Sequence, residues 1–203
     1  MNALSDQIFV EKSGIKESVV SVKMNSNRTH YQKCMLGRKD QFAQTPDDVL
    51  KQIQDMFNDG KPMFDPCPAN PTEDGLDERD WTGDCVYVNP PYKNITPWLA
   101  KGLKQSKKGK KIIFHIPARA DTEWWHNYVI KHAYEIHFIK QGIRFKGYDI
   151  KCPFPIALVV FQNKRIRKPG IKSVDFYEKE KAEKAAAREK KRKARLAKKR
   201  KRS

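Results

Sequence analysis

The chain reads as an α/β domain: a mostly parallel sheet covered by helices, an antiparallel hairpin at the C-terminal edge, and a basic tail. Three observations predict this. Apolar strand-like runs alternate with helix-period runs in the second half of the chain, the pattern that yields parallel strands covered by helices. The last two apolar runs have no helical segment between them, which predicts an antiparallel pair at one edge. The tail "KEKAEKAAAREKKRKARLAKKRKRS" has Leu196 as its only large apolar residue, so it has no face to pack on a core. With 203 residues, the chain suits one domain with a real core. The expected division is an N-terminal extension over 1–43, a single domain over 44–165, and a basic linker and tail over 166–203. The tail is expected to be disordered, or helical on binding.

The elements follow in order. Residues 1–43 give few signals: "SVVSVKM" has strand character, and "NSNRTHYQKC" resembles a loop carrying basic and aromatic groups. At "QTPDDVLKQIQDMF" a helix begins, with Thr45 as its cap, Pro46 in the first helical position and Asp48 three residues after the cap. Val49, Leu50, Ile53, Met56 and Phe57 recur at helical spacing, and Asn58-Asp59-Gly60 ends the run. "KPMFDPC" predicts a short strand ending at Asp65-Pro66, followed by the turn-rich "PANPTEDGLDERDW". "DCVYVNPPY" is the next strand. "NITPWLAKGLKQSKKG" is an amphipathic helix opened by Thr96-Pro97 and closed by Gly109. "KIIFHIPA" is a buried strand, and "DTEWWHNYVIKHA" a helix with Asp121 as its candidate cap. "YEIHFIKQGIRF" and "FPIALVVFQN" complete the strands. Trp98 and one of Trp124 and Trp125 are expected in the core.

The net charge of +18 is unevenly spread. Residues 179–203 hold fourteen Lys or Arg against three Glu, a net of +11 that leaves +7 upstream. A polyanionic partner follows, because each cation placed on a phosphate releases a condensed counterion. The tail lacks the bulky apolar face that would insert into lipid, so nucleic acid is favoured over a membrane surface. No apolar run approaches the length of a membrane span, and no secretory signal is visible at Met1 to Val10. Cys34, Cys67, Cys85 and Cys152 form no CxxC pair, and the five histidines show no ligand spacing. The expectation is a reduced, cytoplasmic protein without a metal site.

In open sheets of this kind, ligands bind at the carboxyl ends of the parallel strands. Those ends here are "FDPC", "VNPPY" and "HIPARAD", all carrying polar residues or prolines. The prolines of Asn89-Pro90-Pro91-Tyr92 either stop a strand, with Tyr92 packed at the core edge, or hold an amide and a ring in fixed relation.

The ordered set "TPDDVL", "FDPCPAN", "EDGL" followed by "DW", "VYVNPPY", "PARADTEWWH", "GIRF" and "PFPIALVVF" resembles the phage-type, Dam-like DNA N-6-adenine methyltransferases. It runs from about Thr45 to Phe161 and leaves the first part of the chain and the tail outside. The resemblance implies a Rossmann-like methyltransferase fold, reduced because little chain separates Asp65 from Asn89. It also implies S-adenosylmethionine as methyl donor and double-stranded DNA as substrate. The catalytic set it implies is Asn89, Pro90, Pro91 and Tyr92. Asn89 and the Pro90 carbonyl would accept the two amine hydrogens of adenine, and Tyr92 would stack on the flipped base. Asp65, beside Pro66 and Cys67, would meet the cofactor, with Asp74 toward its ribose or adenine end and Thr45 and Pro46 against its methionine part. Asp65 also reads as a turn former before Pro66. "FDPCPANP" lacks the glycine-rich turn of the broader methyltransferase class.

Nucleic-acid contacts are expected from Lys93, Arg119, Arg144 and Lys146, and from Lys190, Arg192 and Arg195 in the tail. Arg144 and Lys146 also suit an edge strand kept soluble by charge. Asp121 and Thr122 read as helix-capping residues. The alternatives are methylation of RNA or of the cytosine amine, or a non-enzymatic nucleic-acid-binding protein on a relic fold.

Overall fold

The structure is a computed structural model that describes residues 43–164 and 168–200, with side chains through Arg195. The strand expected in "SVVSVKM" and most of the N-terminal extension lie outside the described residues.

Five strands form one sheet: β1 (Cys85–Val88), β2 (Lys111–Pro117), β3 (Glu135–Ile139), β4 (Ile156–Phe161) and β5 (Gly170–Val174), in the spatial order β1-β2-β4-β3-β5. β1 pairs with β2 and β3 with β5 in parallel, whereas β4 is antiparallel to both of its neighbours. Four strands therefore share one direction and β4 alone is reversed. The β3–β4 pair is antiparallel as expected, but it is not at the edge. Every residue of β4 is buried. Six consecutive apolar residues need cover on both faces and a neighbour on each side, which an edge does not provide. The edge is taken by β5, whose residues are mostly exposed and which falls in the stretch read as linker.

Two further expectations change. The strand in "KPMFDPC" is a single parallel bridge, Phe64 to Val86, held by Phe64 N–H to Cys85 O at 3.2 Å and Tyr87 N–H to Phe64 O at 2.9 Å. Pro62 and Pro66 lack the amide hydrogens that would extend it. The strand expected through "GIRF" ends at Ile139, because Gln141 and Gly142 both adopt left-handed conformations, φ 65° and 67°, and turn the chain away. Arg144 and Lys146 therefore sit on a loop.

Helix α1 (Asp47–Asn58) covers one face of the sheet, with Val49, Ile53 and Phe57 packed against Tyr87, Ile113, Ile156 and Leu158. Pro46, not Thr45, holds the cap position, and no side chain caps the helix. Asp47 and Asp48 stand in its first turn, where acids complement the helix dipole. Helix α2 (Thr96–Lys107) and a helical segment over 123–132 cover the other face. Gly102 lets α2 approach closely: a Cβ there would lie 2.4 Å from Phe114 Cζ. Trp98 stacks on Trp81 in this core, and Trp125 is the buried member of its pair. The 123–132 helix contains a π-helical turn, Trp125–Ile130. Asp121 forms no cap to it; the Thr122 hydroxyl instead donates to the Arg119 carbonyl at 2.7 Å.

The tail forms a continuous helix, α3 (Glu178–Arg200). Its Ala, Lys, Arg and Glu have high helix propensity, and the Glu180–Lys184 and Glu189–Lys193 pairs sit at i,i+4 spacing. Phe176, buried in the α1-side core, anchors its start.

Candidate active site

The parallel strand ends meet at one edge of the sheet. The Phe64 bridge delivers Asp65, β1 delivers Asn89, and β2 delivers Arg119. Because β4 is reversed, its beginning arrives at the same edge. Ala118 N–H bonds to Pro155 O at 2.9 Å, which brings Phe154 to the motif.

Asn89 is half-buried and its amide is held at both ends. Nδ2 donates to the Ala43 carbonyl at 2.7 Å, and Oδ1 accepts from the Tyr92 hydroxyl at 3.1 Å. Pro90 is buried, and Pro91 leads into a 3-10 turn, Tyr92–Asn94. The prolines thus do both things expected of them: they end the strand and set an amide against a ring. Burial raises the Tyr92 phenol well above its ordinary range, so it remains a donor. The Tyr92 ring meets Phe154 edge to face at 6.1 Å. Together with Phe145, Tyr148, Lys151 and Cys152 they line an apolar cavity of about 80 Å³.

Asn89 itself lines a different cavity, of about 150 Å³, with Thr45, Asp65, Cys67, Tyr87 and Lys146. Asp65 also borders a second cavity of about 220 Å³, with Pro66, Asp74, Gly75 and Trp81. Asp65 Oδ1 accepts the Cys67 N–H at 2.8 Å, so the turn-forming role is present. Burial pushes its carboxyl up to about 6 against that single hydrogen bond, and among the described residues no cation pairs with it. Burial, then the Asp65 and Asp74 charges, push the Cys67 thiol up to about 12. Asp74 is exposed and accepts the Leu76 N–H at 2.8 Å. A Cβ on Gly75 would lie 2.0 Å from the Pro66 carbonyl oxygen, so only glycine allows the acidic loop to close on the Asp65 turn.

The Thr45 hydroxyl points inward, into a buried triangle. It lies 2.6 Å from Tyr87 Oη and 3.1 Å from His115 Nδ1, and Tyr87 Oη lies 2.7 Å from His115 Nδ1. His115 is fully buried, stacks on Phe145 at 5.6 Å, and leaves Nε2 without a partner among the described residues. Burial lowers its pKa to about 3, so the ring is neutral. The triangle ties the segment before α1, including the Ala43 carbonyl, to β1 and β2. Tyr87, His115 and Phe154 are absent from the candidates drawn from sequence. Alternation along β1 places Tyr87 on the face opposite Val86 and Val88, the one local signal that could have singled it out.

The candidates thus form two groups. Thr45, Asp65, Cys67, Asn89 and Lys146 share one cavity, and Asp65, Pro66 and Asp74 share the next. Pro46 borders neither; it lines a separate cleft with Arg144 and Lys151. Lys93, Arg119 and Arg144 are exposed, and Lys146 pairs with Asp47 at 2.6 Å. Lys190, Arg192 and Arg195 lie on α3, where Arg192 pairs with Glu189 at 3.2 Å. Among the described residues, no group of three or more His, Cys, Asp or Glu could hold a metal ion, and no helix is long and apolar enough to cross a membrane.

Residues 32–157 match the family model described as DNA N-6-adenine-methyltransferase (Dam). No curated protein matches the chain.

Proposed function

The chain belongs to the DNA N-6-adenine-methyltransferase (Dam) family, and from that premise we propose that it transfers the methyl group of S-adenosylmethionine to the exocyclic amine of adenine in double-stranded DNA. In this reading the target base turns out of the duplex, because its amine cannot be reached inside the stack. The observation that carries the proposal is the doubly held Asn89 amide, which lines the Asp65 cavity and is bonded to Tyr92 of the Tyr92–Phe154 cavity.

The adenine amine is a poor nucleophile because its lone pair is delocalised into the ring. Acceptors aimed at both amine hydrogens favour a tetrahedral nitrogen with a localised lone pair. Asn89 Oδ1 has two acceptor sites and Tyr92 fills one, which leaves one for the amine. The Ala43 carbonyl holds the amide so that its oxygen, not its nitrogen, faces the base. The ring of Pro90 restricts its backbone and aims its carbonyl at the second hydrogen. Tyr92 and Phe154 give the extruded purine an apolar place. Neither Asn89 nor Pro90 is a base, and His115 is sealed in the core, so the displaced amine proton passes to water.

The residues present suit S-adenosylmethionine. Asp65 is a desolvated carboxylate with no cation partner among the described residues, which an ammonium group or a bridging water would satisfy, and Thr45 and Asp74 border the adjoining spaces. Bound there, S-adenosylmethionine would supply a methyl group on a sulfonium that becomes a thioether as the methyl leaves for the amine nitrogen. Cys67 remains a protonated thiol and does not compete for that methyl. Lys93, Arg119 and Arg144, exposed around this edge, are available to DNA phosphates.

The test is incubation of the full chain with methyl-labelled S-adenosylmethionine and, in parallel, mixed-sequence duplex DNA or RNA, followed by nucleoside analysis. Label in N6-methyladenine is expected. Label in cytosine, or in RNA alone, would overturn the proposal.

A further inference from the structure

We propose that α3 is a phosphate-binding arm for the duplex flanking the target base, and that one stripe of its side chains carries the contact: Lys181, Lys184, Arg188, Lys191 and Arg195. The choice of DNA as partner rests on the methyltransferase reading. The arm itself lies outside the matched residues 32–157.

The spacing of these five residues alternates three and four. At 3.6 residues per turn it gathers them on an arc of about 80°. No acid of α3 falls within the stripe. Glu178, Glu183 and Glu189 lie elsewhere on the helix, and Glu180 flanks the stripe and pairs with Lys184. Lys179, Lys190 and Lys193 lie on roughly the opposite side by the same geometry. The five cations of the stripe, with Arg192 at its margin, therefore stand apart from Lys179, Lys190 and Lys193, a division invisible in the bulk charge.

The root of the stripe is fixed to the domain. Phe176 is buried, Lys181 N–H donates to Tyr177 O at 3.0 Å, and Lys181 Nζ pairs with Asp175 at 2.5 Å. Lys181 and Lys184 line a cleft with Arg144 and Lys151, four cations against the two acids Asp48 and Glu180. Lys151 also lines the Tyr92–Phe154 cavity. A cationic surface thus runs from the helix to the place assigned to the flipped base. Consistent with that field, Lys184, then Arg144 and Lys151, hold the Glu180 carboxyl below its ordinary range. Lys181 and Lys184 are partly neutralised by their own acids, so Arg188, Lys191 and Arg195 carry most of the contact.

The length and surface of α3 suit DNA. Its 23 residues span about 35 Å, close to one turn of duplex. Away from the stripe, Ala182 and Ala186 stand among Lys179, Lys190 and Lys193, so that side offers no bulky apolar face to a protein groove or a membrane.

Two full-length variants with equal charge loss test the proposal: Arg188→Gln/Lys191→Gln/Arg195→Gln on the stripe, and Lys179→Gln/Lys190→Gln/Lys193→Gln away from it. Gln, Lys and Arg have similar helix propensity, and circular dichroism checks that helix content is retained. Binding to a duplex longer than the arm is followed by anisotropy across a salt series. The stripe variant is expected to lower the salt slope by about 2 to 3, near 0.9 for each lost phosphate, and the control by less than about 1. Equal slope losses in both variants, or none in either, would overturn the stripe. A loss seen on duplex RNA but not on DNA would overturn the partner. Coincident slopes with methylation intact remove the arm alone; split slopes without methylation remove the methyltransferase reading and leave the arm standing.

Discussion

The Tyr92 hydroxyl donates to Asn89 Oδ1 at 3.1 Å, so the two polar ends of the NPPY segment are bonded to each other across its two prolines. The Ala43 carbonyl holds the opposite end of the same amide. The amide is oriented by the fold before any substrate arrives, the condition under which a hydrogen-bond acceptor aids a transition state without reorganising.

Asn89→Ala is expected to lower kcat at least a hundredfold, a barrier increase of roughly 3 kcal/mol, with the fold retained. Tyr92→Phe keeps the ring and removes only one bond to an oxygen with spare acceptor capacity, so it is expected to cost less than about tenfold. Single-turnover rates check the order. A Tyr92→Phe loss as large as that of Asn89→Ala would place the essential group on the phenol.

Asp65 is expected to govern the pH dependence of cofactor binding. Its folded pKa of about 6 is raised above the ordinary 3.8 by burial. A cationic ligand favours the ionised carboxylate, so S-adenosylmethionine affinity should fall as pH drops through 6 in the parent, and Asp65→Asn should be weak throughout. Without ligand the sign reverses. The raised pKa means ionised Asp65 disfavours the folded state above about pH 6 and has no effect below 3.8. Asp65→Asn should therefore raise Tm at pH 7.5 and leave it unchanged at pH 3.5. Calorimetric titration and thermal melts measure the two effects.

His115 contributes in the other direction. The unfolded ring takes a proton near 6.5, whereas the buried ring resists it down to about 3. Its contribution to stability is complete above 6.5 and is lost as pH falls toward 3. His115→Phe preserves a ring on Phe145 and leaves Thr45 bonded to Tyr87. The variant is expected to have a flatter stability profile than the parent between pH 6.5 and 4. Parallel profiles in denaturant titrations would show that the buried ring does not set this acid limb.

Gly75→Ala is expected to weaken cofactor binding more than DNA binding. The added Cβ would meet backbone, the Pro66 carbonyl at 2.0 Å, which cannot rotate away. The acidic loop must lift from the Asp65 turn, and the Trp81 indole bond to Gly75 O at 2.8 Å loosens with it. A cost of about 1 to 3 kcal/mol in stability is expected from the overpacking. An unchanged melting temperature with normal cofactor affinity would show that the loop has another way to close.

Much of the candidate site's placement was legible because strand ends carry local signals. Asp65-Pro66 and Asn89-Pro90-Pro91-Tyr92 are residue types that a buried strand does not need, and they stand at the edge where parallel strands present ligands. Phe154 was not legible as part of the site. It lies 62 residues beyond Tyr92, and only the reversal of β4 carries it back to that edge. His115 reads in sequence as one polar residue in an apolar strand; its partners come from two other segments.

The sequence by itself determined the local elements: the 3.6-residue period of α1, the buried run of β2, the prolines that end β1, and the charge of α3. Each depends on side chains within a few residues of one another. Tertiary structure decided what those elements pair with. It set β4 in the centre, where both of its faces could be buried, and gave the edge to the polar β5. It also drew the Thr45 hydroxyl from the cap of α1 into the core, because Tyr87 and His115 offered buried partners there. A buried polar group must be satisfied wherever the fold leaves it, and its partners become neighbours only when the sheet has formed.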